Sequence, residues 1–169
     1  MDAGLLVIRL VFGLLMAAHG AQKLFGWFGG YGLSAVSGYF ESMGFRPGRL
    51  FAATAGASEV VGGLLIAGGF FGPVGPALVL AVMIVAIFAV HVQHGVFGNT
   101  NGIEVPLLYA AAVVALAFTG YGGYSLDSAL GVSSLWTPAI VLGSLAVGAG
   151  GGALNLAIRR VPTQVPAAS

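Results

Sequence analysis

The chain has 169 residues, of which 58% are hydrophobic and 7% charged, and its net charge is +1. A soluble domain carries about 25% charged residues, so a water-soluble globule of this size could not cover its surface with so few, and the composition describes a polytopic membrane protein. The near-neutral charge does not point to nucleic acid as a partner, and the absence of cysteine excludes thiol–disulfide chemistry by this chain, iron–sulfur ligation and Cys-bound zinc.

A membrane span needs about 20 mostly apolar residues, and five stretches are candidates: 5–24, 50–70, 75–92, 105–119 and 136–158. The first lacks a basic region before its apolar run and carries polar residues within it, which argues for a retained helix rather than a cleaved signal. Between the first two, Leu33, Val36, Phe40 and Met43 recur at helical spacing opposite Ser34, Ser37 and Glu41. That pattern predicts a short amphipathic helix lying in the membrane interface, flanked by glycines and by Trp27, Phe28 and Tyr31. The fourth stretch is short unless it begins near Glu104. The fifth contains the run GAGGGA, where Gly148 and Gly152 form a small-xxx-small pair that favours close helix packing. Lys23, Arg46, Arg49, Arg159 and Arg160 fall at one end of a five-span bundle, so that end is expected in the cytoplasm, with the N-terminus outside and the C-terminus inside a cell membrane.

Polar residues inside the spans are the candidate functional groups, because an ionisable side chain at that depth faces the bundle interior and has a partner. At about 100° per residue, His19 lies about 80° and Lys23 about 40° from Arg9 around the first helix, so all three share one stripe. On the second span, Ala52, Gly56, Gly63 and Ala67 lie on the face of Glu59, leaving room for a long side chain from a neighbour. The expected network is therefore Arg9, His19 and Glu59, with Glu59 paired to Arg9 or His19 and Lys23 marking the membrane boundary. The competing reading is a salt bridge that only fixes helix register.

His91 and His94 share a face at the end of the third span, and Glu104 follows at the start of the fourth, where an acidic group suits the helix dipole. Two imidazoles and a carboxylate can bind a transition metal, and His19 with His91 could ligate haem in a bundle. Both rank below ordinary hydrogen bonding, since only two ligands share an element and no recognised metal motif is present. Asp127 in GYGGYSLDSAL is expected to cap a turn or a short helix.

The stretches RLVFGLLMAAHGAQKLFG, ASEVVGGLLIAGG and HVQHGVFG…NGIEVPLLYAAAVVALAFTGYGGYSLD resemble the DoxX family over about residues 5–127. The resemblance implies a four-helix integral membrane unit, with Arg9, His19, Lys23, Glu59, His91 and Glu104 as the family-like polar set. Residues 1–134 would then form this domain, 135–160 an additional transmembrane helix and 161–169 a cytoplasmic tail. Some relatives are described as subunits of a quinone-reducing thiosulfate-oxidising system, others as parts of a membrane oxidoreductase complex in oxidative-stress defence. The resemblance thus implies a redox-associated subunit that binds a quinone-like molecule in a polar intramembrane cavity, alongside other membrane or membrane-associated redox proteins. The alternative is a non-enzymatic accessory or scaffold subunit whose Gly148/Gly152 face docks a larger complex, and a small transporter ranks last. Whether the chain is itself an enzyme stays open at this point.

Overall fold

The computed structural model describes residues 1–160; the expected tail, 161–169, lies outside the described residues. Among the described residues there are seven α-helices and no strand: α1 (Asp2–Phe25), α2 (Gly32–Ser42), α3 (Gly48–Gly68), α4 (Val74–Ala86), α5 (Glu104–Thr119), α6 (Leu126–Ala129) and α7 (Pro138–Ala157). The α4 helix continues through a π turn at Ile87–His91 and a 3-10 turn at Val92–His94. Each of the five apolar stretches forms a helix. Four of them, Asp2–Phe25, Gly48–Gly68, Val74–His94 and Pro138–Ala157, are long and apolar enough to cross a membrane. The fifth, α5, has 16 residues and spans about 24 Å, less than the roughly 30 Å of bilayer hydrocarbon.

The helices begin and end where their chemistry dictates. Glu104 opens α5 on the favourable side of the dipole, two residues before Pro106. Thr137 caps α7, its hydroxyl accepting from the Ile140 amide at 3.4 Å, with Pro138 at the first helical position. After α3 the chain reverses at Gly69, whose φ of 64° suits glycine. A Cβ there would also collide with the Arg9 guanidinium and with Ser125.

The largest helix–helix contact is between antiparallel α1 and α3. It is built from Gly13 and Gly20 on one side and Gly56, Gly63 and Ala67 on the other, all buried. A Cβ on Gly63 would lie 2.6 Å from the Ala17 amide nitrogen, and one on Gly56 would lie 2.8 Å from the Leu24 side chain. The face around Glu59 is thus small because a helix backbone lies on it. Gly63→Ala has no flexible atom to displace and should cost about 2 kcal/mol through forced helix separation, read as a lowered unfolding midpoint in detergent. An unchanged midpoint would show that the two backbones do not touch there.

The α4 helix is central, packing on α3, α5 and α7. Val79 and Met83 join Met16, Ile66, Tyr109 and Val113 in the main core. Gly148 and Gly152 of α7 face Ala77 and Ala81 of α4; a Cβ on Gly152 would approach the Ala81 carbonyl to 2.8 Å. This close-packing face is consumed inside the chain, so it does not offer the docking surface that the scaffold reading assigned to it. The apolar side of α2 also finds a partner in the chain, because Phe40 packs with Phe45 and Ala52, flanked by Leu33, Val36 and Met43.

Candidate functional site

The helix directions place Arg9 and Glu59 at different levels, and this overturns the expected network. Arg9 and Lys23 are 14 residues apart along α1, about 21 Å. Side chains lean towards the N-terminus of their own helix. On α1 this carries Lys23 inward and Arg9 outward; on antiparallel α3 it carries Glu59 towards the end of α1 where Lys23 sits. Glu59 therefore pairs with Lys23, not with Arg9 or His19. Lys23 is more than a boundary cation: its side chain is 30% exposed while the Glu59 side chain is buried, and the second Glu59 carboxylate oxygen has no hydrogen-bond partner.

Arg9 belongs to the opposite end. Its guanidinium donates to the carbonyls of Tyr121 at 2.9 Å and Tyr124 at 2.7 Å and lies 5.7 Å from the Tyr121 ring centre. Asp127, buried in α6, accepts from the amides of Phe71 at 3.0 Å and Gly72 at 2.7 Å and from the Trp136 indole N–H at 2.7 Å. The cap expected of Asp127 is thus made on the distant α3–α4 turn, while Ser125 caps α6 itself. Burial, and the Asp127 carboxylate nearby, push the Tyr121 phenol above its ordinary range, with Arg9 pulling it part of the way back. Tyr121 stays protonated and donates to the Gly72 carbonyl at 2.7 Å. All these contacts close on one another, and they fasten the α5–α7 connection over the end of the bundle.

The secondary cluster is tied to backbone. His91 Nδ1 donates to the Asn101 carbonyl at 2.7 Å and His94 Nδ1 to the Val90 carbonyl at 2.9 Å, since a carbonyl can only accept. Glu104 accepts from the Gly98 amide at 2.6 Å. Each side chain folds the α4–α5 connection, and among the described residues no three His, Asp or Glu side chains converge as a metal site requires.

A cavity of about 680 Å³ lies at the Lys23 end, between α1, α2, α3, α4 and the end of α7. Lys23 and His19 line one side, with the Glu59 carboxylate buried behind Lys23. The Tyr109 ring meets the His19 imidazole edge-on, 6.2 Å between centres. Thr54 and Ser58, four apart on α3, add two hydroxyls, and Asn155 of α7 and His91 of the π turn add an amide and an imidazole. Gln22, Tyr31 and Tyr39 add further polar groups, and the remaining side chains of the wall are apolar, from Ala35, Val36 and Phe40 of α2 to Val82 and Val85 of α4 and Ala89 of the π turn. The π turn carries Ala89, Val90 and His91 to this wall; such turns recur at functional sites. Of the expected site residues, the cavity gathers His19, Lys23 and His91 and excludes Arg9. Thr54, Ser58 and Asn155 also belong to it, and their signal in the sequence is two hydroxyls at i, i+4 and a lone amide within apolar helices.

No curated protein and no solved structure matches the chain. The DoxX family model matches residues 4–92, which run from the first turn of α1 through α2 and α3 to the end of the π turn of α4. That stretch supplies most of the cavity wall and both partners of the buried ion pair, and it is more than half of the sequence: the chain belongs to the DoxX family of membrane proteins.

Proposed function

We propose that the protein is a redox-associated membrane subunit that holds a quinone-like molecule in the cavity beside Lys23 and His19. The supporting observation is the pairing of an apolar cavity of about 680 Å³ with a cation fixed in its wall by a buried carboxylate. A pocket of this size and character suits a small ring compound. Lys23 would donate to a ring oxygen and stabilise negative charge developing there on reduction, while Glu59 keeps it oriented. His19 would pass a proton to or from that oxygen. The electrons would come from a membrane or membrane-associated redox partner, and this chain would supply binding and proton handling.

In this reading five helices cross the cell membrane, with α5 spanning by local thinning of the bilayer, and α2 lies in the interface. The end carrying Lys23, Arg46, Arg49, Arg159 and Arg160 faces the cytoplasm and the N-terminus faces outward. The reading is tested by binding of a short-chain ubiquinone analogue to the purified protein. Ala35→Trp, at an exposed cavity-lining position of α2, should abolish binding by filling the space. His19→Ala should weaken it about tenfold through loss of one hydrogen bond. Unchanged binding in both folded variants would sink the proposal.

A further inference from the structure

We propose that the corner where the α2–α3 loop meets the end of α7 binds the phosphate headgroup of an anionic phospholipid. Four arginines come together there from distant parts of the sequence. The Arg160 amide donates to the Gly44 carbonyl at 2.9 Å, and the Arg159 guanidinium lies 5.9 Å from the Phe45 ring centre. Arg46 follows directly, and Arg49 stands in the first turn of α3. Basic residues that only set topology can be scattered along one end of a bundle; here a backbone hydrogen bond clamps two pairs into one corner.

The corner is short of negative charge. Among the described residues the only ion pair is Lys23–Glu59, so none of the four arginines has a carboxylate partner. The one acidic side chain beside them, Glu41, accepts from the Gly48 amide at 3.1 Å and so caps α3. Guanidinium groups in a cluster match the oxygens of a phosphate.

The surroundings select a lipid over a soluble phosphate. Leu50 beside Arg49, Ile158 beside Arg159 and Leu154 one turn earlier are all more than half exposed. Apolar side chains directly below a basic corner suit acyl chains continuing from a phosphate held between the arginines. A free phosphate, a nucleotide or an acidic peptide would leave them uncovered. Phe45 links this corner to the cavity, since its ring lies beneath Arg159 and also lines the cavity wall; the lipid site nevertheless stands on its own if the cavity binds no quinone.

The test is native mass spectrometry of the full chain released from nanodiscs of phosphatidylcholine doped with phosphatidylglycerol. The unaltered protein should retain phosphatidylglycerol in preference. Each arginine near an anionic headgroup contributes about fivefold, so the exposed pair Arg46→Gln/Arg160→Gln should weaken retention about thirtyfold, while Arg46→Lys/Arg160→Lys keeps most of it. Should the double variant not purify intact, Arg46→Gln alone carries the same test at about fivefold. Undiminished retention in the Gln variants overturns the proposal. So does displacement of the retained lipid by inorganic phosphate at matched concentration, which would assign the corner to a soluble anion.

Discussion

Replacing Lys23 by methionine is expected to lower unfolding stability in detergent by about 3–5 kcal/mol, because it leaves the Glu59 carboxylate buried without a counter-charge. Only 1% of Glu59 is exposed, and one of its two oxygens already lacks a partner. The reverse change should be milder. Glu59→Leu leaves an ammonium whose side chain is 30% exposed at the cavity wall, where it can turn to water, at a cost of about 1 kcal/mol. The double variant Lys23→Met/Glu59→Leu should return to within about 1 kcal/mol of the unaltered protein, since apolar residues of similar volume often replace a buried pair without loss. Chemical unfolding of the four proteins measures the coupling directly. Additive penalties would mean that the two groups do not support each other. The cycle also separates the two readings of the pair: if it is only a lock between α1 and α3, the double variant keeps ubiquinone-analogue binding, and if Lys23 holds the ligand, binding stays lost although the fold has recovered.

The helices were legible because each is a long apolar run with a turn signal at its ends, and close packing was announced by Gly148 and Gly152 at small-xxx-small spacing and by the small residues Gly56 and Gly63 on the Glu59 face. The stripe of Arg9, His19 and Lys23 on α1 was legible too, since angular position depends only on residue count. What a helical wheel does not hold is height and lean. Arg9 and Lys23 share an azimuth yet serve opposite ends of the bundle, and the lean of side chains towards their helix N-terminus decides which of them meets Glu59. The cavity was illegible for a related reason. It is bounded by α2, by the π turn of α4 and by Asn155 of α7, and the widened turn at Ile87–His91 leaves no mark in an apolar sequence. The role of Asp127 depended on the α3–α4 turn, whose free amides belong to residues 55 and 56 positions earlier in the chain.

That turn gives the second large effect. Asp127→Ala should destabilise the protein by about 5 kcal/mol, since hydrogen bonds to a charged group contribute roughly 1.5–3 kcal/mol each and three donors lose their acceptor together. Two are the backbone amides of Phe71 and Gly72, and the third is the Trp136 indole. Asp127→Asn keeps one acceptor oxygen but turns an N–H towards a donor, and should lose about half as much. Unfolding curves read both, and Trp136 reports the site by fluorescence, because release of its N–H and entry of water shift its emission to the red. Trp27, at the other end of the bundle and exposed, should not respond. A stable Asp127→Ala protein with unshifted emission would refute the latch. The latch is held on α1 at Arg9, ten residues or about 15 Å from His19 at the cavity wall, and shares no residue with that wall, so the folded fraction of Asp127→Ala should bind the ubiquinone analogue as the unaltered protein does. Loss of binding there would mean that the ligand sits at the Arg9 end after all, beside the groups that hold the α3–α4 turn.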